Sequence, residues 1–317
     1  MLSINLRFAH KGIMTRRHFL QAVAAVSVAE TVAIGRAQEQ SPKPNQLPAA
    51  KRRPIKKAVN LNMVKAGSTL EKFTIAKEAG FDGLELNRPD ALPLDELIKA
   101  RDATGLKFAG IICSTHWGKP LTDNNPAVRE QGMRGLKLAL QEAGELGCER
   151  LLLVPGVVNK QVSYADAWTR SLAAIKEAAP FAEKARCKIA VENVWNHFLL
   201  SPLEAARFVD EINSPWVGWH FDIGNVITFG WPEQWVRILG KRILNLHIKE
   251  FSRKKRDAEG LSKGFNVELG EGDVGWPDVM KALDEIHYDG WGIAEVPGGD
   301  ATRMKFLAER MDKLFAS

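Results

Sequence analysis

Four short apolar segments in the second half of the chain each end at a side chain that can bind a metal ion. The segments are KIAVENVW, VGWHFDIGN, ILNLHIKE and WGIAEVPG, and the side chains are Glu192, Asp222, His247 and Glu295. Carboxylate oxygens with one imidazole nitrogen form a ligand set suited to a divalent ion such as Mn²⁺, Mg²⁺, Co²⁺ or Zn²⁺. One such residue alone would more often serve its own loop, but four in sequence order predict a metal site.

The elements that position these residues alternate regularly from about residue 56 to the C-terminus. Strands are predicted at 57–63, 81–87, 106–114, 148–156, 187–193, 216–225, 242–251 and 291–298. Helices are predicted at 69–80, 92–105, 125–147, 164–186, 201–212, 232–240, 275–290 and 303–315. Near-continuous apolar strands that alternate with helices predict a parallel sheet buried on both faces.

Eight βα units within about 260 residues have the size of a closed (β/α)₈ barrel, a TIM barrel. The alternative is an open doubly wound sheet, which would need a glycine-rich phosphate loop after the first strand. The sequence there is VNLNMVKAGS and lacks that pattern. In a closed barrel, the four ligands would end strands five to eight and meet at the C-terminal mouth, where such barrels carry their active sites.

Several other polar and aromatic residues lie at or just after predicted strand ends, where they could contact a substrate. Glu85 could instead form a structural salt bridge, and the tryptophans could simply pack their loops. His220 shares a strand face with Asp222 and is expected in a lower layer of the barrel. The candidate substrate-binding residues from this pattern are Glu85, His116, Trp117, Trp195 and Lys249, and Trp231 is a further aromatic at the mouth.

Two glutamates on one metal suggest proton transfer. A divalent ion that chelates a carbonyl and the adjacent hydroxyl acidifies the intervening C–H by stabilising an enediolate. Glu192 and Glu295 could then remove and return the proton. Return to the other face gives epimerisation, return to the neighbouring carbon gives isomerisation, and loss of a β-leaving group gives elimination.

The composition excludes some classes of protein. The chain has 317 residues and a formal net charge of +6, and residues 1–37 hold five Lys/Arg against one acid. The remainder has no long basic stripe, so nucleic-acid binding is not expected, and the run 252–256 (SRKKR) is predicted as a loop.

Three cysteines, too few for a disulfide framework, are expected in the core. They are Cys113, Cys148 and Cys187.

The N-terminus is typical of an export signal. TRRHFL (15–20) precedes a moderately apolar stretch at 19–34 and the small residues GRA, which predicts a twin-arginine-type signal peptide over residues 1–37. A membrane anchor is the alternative, but Gln21 and Glu30 interrupt the stretch and no membrane span is expected. Met14 is an alternative start to Met1.

Export would make the mature protein periplasmic or secreted, with the twin-arginine machinery as a partner. Residues 38–55 are rich in Gln, Pro, Lys and Ala, which predicts a flexible linker before a barrel domain at 56–317. A homo-oligomer is an open alternative to a monomer for this domain.

The motifs PGVV (155–158), ENVWNHFLLSPLE (192–204), HFDIGN (220–225), HIKEF (247–251) and LGEGDVGW (269–276) resemble the sugar phosphate isomerase/epimerase family. This is the xylose isomerase-like TIM barrel superfamily, and the resemblance covers about residues 57–317. It implies a metal held by Glu192, Asp222, His247 and Glu295, with the two glutamates as the acid/base pair of ketose 3-epimerases. Those enzymes often carry a His three residues after the Asp and an Arg six after the metal His. Here the residues are Asn225 and Arg253, and both are candidate substrate contacts.

The family name includes phosphate, but phosphosugars are cytoplasmic and the N-terminus predicts export. We therefore expect a divalent-metal-dependent isomerase or epimerase that acts on an unphosphorylated keto-sugar. A metal-dependent lyase acting on 3-keto-glycosides is one alternative, because elimination uses the same enediolate chemistry. A non-catalytic periplasmic sugar-binding barrel is the other.

Overall fold

The computed structural model describes residues 53–317, and eight parallel strands form a closed barrel within them. Each strand pairs with its neighbours in chain order, and the first pairs with the eighth to close the barrel. The (β/α)₈ TIM barrel predicted from the alternating elements is thereby confirmed. The strands are β1 (Lys56–Asn60), β2 (Gly83–Arg88), β3 (Lys107–Cys113), β4 (Arg150–Leu153), β5 (Lys188–Glu192), β6 (Val217–Asp222), β7 (Ile243–Ile248) and β8 (Trp291–Ala294).

A helix follows every strand, and the helical segments between strands return the chain to the start of the next parallel strand. Within the described residues the helices are α1 (Thr69–Glu78), α2 (Leu94–Thr104), α3 (Pro126–Leu146), α4 (Tyr164–Ala185), α5 (Pro202–Ile212), α6 (Pro232–Leu239), α7 (Arg253–Glu259), α8 (Trp276–Glu285) and α9 (Ala301–Ala316). The start predicted for α5 is confirmed, since the Ser201 side chain accepts a hydrogen bond from the Glu204 backbone N–H.

Two local predictions are wrong. The run 252–256, predicted as a loop, lies mostly in α7. Its residues have no apolar periodicity, and the helix is held instead by Ser252, which caps it, and by hydrogen bonds from Lys255 and Arg256 to the carbonyls of Asn266 and Thr228. The strands are also shorter than predicted at the mouth: β6 ends at Asp222 and a 3₁₀ turn covers Gly224–Val226, so Asn225 is not in a strand.

The core has two parts. A large apolar layer lies between the barrel and its helices, and it includes the three cysteines, all buried as predicted. A smaller cluster fills the lower barrel interior with Ala58, Ala109, Trp291 and Ile293. Because side chains alternate along a strand, Trp291 and Ile293 share the inner face of β8 with the position of Glu295. Apolar filling below therefore gives way to polar side chains towards the mouth.

The predicted signal peptide at 1–37 and most of the predicted linker lie outside the described residues. At the end of that linker, Arg53 donates to Asp284 of α8 at 2.9 Å and to the Phe315 carbonyl of α9. Ile55 is also buried, so residues 53–55 pack against the barrel domain. Among residues 53–317, no helix has both the length and the apolar character needed to cross a membrane.

Candidate metal centre and active site

The structure brings Glu192, Asp222, His247 and Glu295 together at the mouth. Glu192 and Asp222 are the last residues of β5 and β6, His247 lies near the end of β7, and Glu295 directly follows β8. Each offers one ligand atom, and these four atoms lie within 4.8 Å of one another. Parallel strands place equivalent ends at one edge, which is why four separate segments supply one cluster.

Short contacts link the members of this cluster. The His247 Nδ1 atom is 3.0 Å from Glu192 Oε1 and 3.4 Å from Glu295 Oε2. Lys249 lies just beyond β7, and its Nζ donates to Glu295 Oε2 at 2.7 Å and to Asp222 Oδ2 at 3.2 Å. The lysine predicted as a substrate contact is thus an integral part of the cluster.

Burial and charge act in opposite directions on these groups. Burial raises the pKa of Glu192 to about 7 and that of Asp222 to about 6. Burial also raises the pKa of Glu295, but the His247 and Lys249 cations outweigh it and hold that pKa well below its usual range. The carboxylates therefore require nearby positive charge to stay ionised.

The four residues fit a divalent metal ion. Asp222 is fully buried and Glu192 is 6% exposed, so their oxygens are largely removed from water. Buried carboxylates are stabilised by cations or metal ions, and oxygen atoms with one imidazole nitrogen suit Mn²⁺, Mg²⁺, Co²⁺ or Zn²⁺. Glu295 differs from the other three because its side chain is 38% exposed and faces the open mouth.

Two asparagines position Asp222. The Asn225 backbone N–H donates to Asp222 Oδ1 at 2.9 Å, and its side chain donates to the Asn193 carbonyl. Asn193 Oδ1 accepts from the Asp222 backbone N–H at 3.1 Å. Asn225 was predicted as a substrate contact, but it is only 9% exposed, and its backbone N–H and side-chain NH₂ donate to groups within the protein. Asn193 was missed by the sequence analysis, although its position directly after Glu192 was a signal.

Glu85 does not lie at the rim where the sequence analysis placed it. It is fully buried in the barrel interior, and both of its oxygens are 3.2–3.3 Å from His247 Nε2. His220 lies in the same lower layer, as expected, with its ring centroid 4.1 Å from that of His247. The alternation of side chains along β2 indicated which face of the strand Glu85 occupies, but not how far below the mouth of the barrel it lies.

His116 and Trp117 follow β3 on another side of the mouth. His116 is 5% exposed, its Nδ1 accepts from the Val154 backbone N–H at 3.1 Å, and burial lowers its pKa to about 4. A neutral ring with Nδ1 as acceptor carries its proton on Nε2. Trp117 packs edge-to-face against His116 and is 51% exposed.

Aromatic side chains form one wall beside the cluster, hereafter the aromatic wall, made of Trp195, Phe229 and Phe265. Phe265 lies 4.8 Å from Lys249 Nζ and 4.9 Å from the Trp195 ring. Trp195 contacts Phe229, which is 70% exposed. The wall therefore runs from the metal ligands to solvent, and Phe265 also lines a cavity of about 670 Å³.

Arg253 stabilises the loop after β6. Its guanidinium donates to the carbonyls of Ile227 and Gly230 at 3.0 and 2.9 Å and lies over the Trp231 ring. The N–H groups that make these bonds are already used within the protein. A substrate contact by Arg253, as the sequence analysis predicted, would have to come from its remaining donors.

The fold and the site define a TIM barrel with a carboxylate–histidine centre at its mouth. The sequence profile of the xylose isomerase-like TIM barrel family matches residues 73–314, and the chain belongs to that family. This confirms the resemblance found in the strand-end motifs.

Individual relatives and solved structures agree with this family. An L-ribulose-5-phosphate 3-epimerase of Escherichia coli is 28% identical over 264 residues, covering 77% of this chain and 90% of the relative. The crystal structure of D-psicose 3-epimerase from Clostridium cellulolyticum H10 matches with a TM-score of 0.64 and 17% identity, over 83% of this chain and 96% of that one. That of 3-keto-D-glucoside 4-epimerase from E. coli matches with a TM-score of 0.68 and 16% identity, over 83% and 100%. At these identities the two structures support the fold.

Proposed function

We propose that this chain is a divalent-metal-dependent isomerase or epimerase that acts on an unphosphorylated keto-sugar by proton transfer next to a carbonyl. The observation that carries the proposal is the convergence of four ligand atoms within 4.8 Å, two of them from glutamates. A relative named as a sugar 3-epimerase, aligned over 77% of the chain, supports the reaction class.

Glu192, Asp222, His247 and Glu295 would hold the metal. A bound divalent ion would polarise a sugar carbonyl and its neighbouring hydroxyl, which makes the C–H between them more acidic. Glu295 is the carboxylate best placed to take that proton, because it is the most exposed of the four ligands. Lys249 donates to Glu295 Oε2 and favours its ionised form. Glu192 is the second proton carrier. The two glutamates come from β5 and β8, the first and last of the four strands that supply the ligands.

The arginines at the mouth favour an unphosphorylated substrate. Arg253 donates to two backbone carbonyls, and Arg303 donates to both oxygens of Glu268 at 2.9 Å. Phosphate recognition commonly relies on arginines with free, forked N–H groups. Two of the three nitrogens in each of these side chains already donate to protein groups, which leaves fewer N–H groups for a phosphate and supports a sugar without one.

Solvent exchange tests the proposal directly. The protein is incubated in D₂O with Mn²⁺ and a panel of unphosphorylated keto-sugars, and the sugars are examined by NMR. We expect deuterium at a carbon next to the carbonyl, loss of this exchange in Glu295→Gln, and normal exchange in Glu309→Gln, a matched change at an exposed position on α9. Sugar binding without deuterium incorporation in the unaltered protein would instead identify a binding barrel.

A second candidate is a lyase that eliminates the aglycone from 3-keto-glycosides. It is favoured by the aromatic wall, which offers apolar surface beyond one sugar ring. The same NMR experiment with 3-keto-glycosides separates the two, because a lyase releases free aglycone whereas an epimerase returns an intact glycoside.

A further inference from the structure

The two ring nitrogens of His247 face two different groups of carboxylates. Nδ1 points towards the ligand cluster, 3.0 Å from Glu192 and 3.4 Å from Glu295. Nε2 points into the barrel, 3.2 and 3.3 Å from the two oxygens of Glu85. A histidine that binds a metal through one nitrogen commonly donates its other N–H to a carboxylate.

Glu85 reaches His247 across the barrel interior. β2 and β7 are not neighbours, since β1 and β8 lie between them in the closed barrel. The contact therefore does not follow from strand pairing. A side chain at Gly110 would crowd it, because a Cβ there would lie 3.3 Å from Glu85 Oε1. This glycine leaves room for the carboxylate.

The position of Glu85 is tightly defined. Its side chain is fully buried, and the Asn60 side chain donates to its Oε2 at 3.2 Å. The His220 ring packs at 68° against His247, with centroids 4.1 Å apart, and restricts the tilt of the His247 ring. Glu85 thus acts on one defined orientation of the imidazole.

We propose that Glu85 is the positioning residue of the metal centre: it keeps the His247 proton on Nε2 and so presents the Nδ1 lone pair to the metal. This inference rests on the proposed function only in assuming that a metal ion binds at this site. A carboxylate partner fixes the tautomer and ring orientation and makes the ligand nitrogen more basic, and removal of such partners typically lowers metal affinity about 10–100-fold.

Metal affinity, measured without any substrate, tests this role. Mn²⁺ binding to the unaltered protein and to two variants is measured by competition with a fluorescent chelator. Glu85→Gln keeps an acceptor for Nε2–H but loses the charge, and should bind about tenfold more weakly. Glu85→Met removes both the acceptor and the charge, and its Mn²⁺ affinity should fall by nearly 100-fold. If the methionine variant does not fold, the glutamine variant decides alone.

Glu142→Gln is the matched control. Glu142 is another carboxylate paired to a buried cation, Arg88 at 2.7 Å, but it lies on α3 outside the cluster. It should lose stability and keep its Mn²⁺ affinity. In addition, ¹⁵N NMR of the Zn²⁺-loaded protein should show a protected proton on Nε2 of His247, which Glu85→Met loses.

Three results would overturn the inference. One is unchanged Mn²⁺ affinity in both Glu85 variants, and another is an equal loss in Glu142→Gln. The third is binding of two ions per chain with the second lost in the variants, which would make Glu85, His220 and His247 a separate metal site. If the unaltered protein binds no metal, the proposed function fails and this inference fails with it. If the unaltered protein binds Mn²⁺ and the Glu85 variants bind it equally well, only this inference fails.

Discussion

His116 shows how burial controls the ionisation of a single side chain in this barrel. Its pKa of about 4 in the folded protein is lower than the value of about 6.5 expected for an unfolded chain. Below pH 6.5 the unfolded chain therefore binds more protons than the folded one. It follows that the His116 contribution to stability is lost as the pH falls from about 6.5 to about 4.

We expect His116→Gln to remove this pH dependence. The unaltered protein should lose about 2 kcal/mol more unfolding free energy than the variant between pH 7 and pH 5. Urea unfolding at the two pH values measures the difference. His287→Asn, which changes an exposed histidine, should keep the full dependence. Equal pH slopes for the unaltered protein and His116→Gln would show that the imidazole titrates normally.

The sequence predicted some of these residues better than others. Glu192 and Asp222 were predictable because a strand end in a parallel barrel fixes both the edge and the face of the side chain. The contact between Glu85 and His247 was not predictable, because it joins strands that do not pair and depends on how the barrel closes. The burial of Asn225 depends on the 3₁₀ turn after β6, which carries no strong sequence signal.

At the scale of elements, the long segment between β7 and α8 is organised by one buried carboxylate. Glu250 is 1% exposed and accepts four hydrogen bonds, from the backbone N–H groups of Phe251, Gly270 and Val274 and from the Trp276 indole. Burial raises the pKa of Glu250 while these donors lower it. The carboxylate therefore fixes both ends of the loop that carries α7 and Phe265.

Glu250→Gln should loosen this loop. The amide offers one acceptor oxygen where two are used, and its NH₂ group would face N–H donors. We expect a loss of about 2–4 kcal/mol in unfolding free energy, because a buried, charge-assisted set of bonds is broken. Urea unfolding and limited proteolysis of residues 252–270 measure the two effects. Glu271→Gln, in the same loop but exposed, is the control, and equal stability of both variants would contradict the role of Glu250.

Element types were predicted more reliably than element ends. Apolar strands and amphipathic helices follow from local periodicity, and helix starts such as that at Ser201 follow from capping chemistry. α7 was missed because the sequence RKKRDAE has no apolar face, and its formation depends on surrounding loops. Strand ends at the mouth were placed too far along because the loops there also contain apolar residues, such as Phe251 and Val296.

At the scale of the whole molecule, we propose that the first 37 residues direct the protein out of the cytoplasm, although they lie outside the described structure. Replacement of both Arg16 and Arg17 with lysine should abolish export, because the twin-arginine machinery reads that pair. Cell fractionation with antibody detection measures the result. Arg36→Lys, a conservative change outside the pair, should be exported normally. Retention of the unaltered chain in the cytoplasm would refute the export proposal.

The closure of β8 against both β7 and β1 has a consequence for how the protein is made. Glu295 follows β8, so it leaves the ribosome after every other proposed ligand. It also leaves after β1, the strand that pairs with β8 to close the barrel. A growing chain can contain Glu192, Asp222 and His247 and still lack the full cluster. Correct metal selection would then be decided after Glu295 has emerged, by the ions present where the barrel first closes.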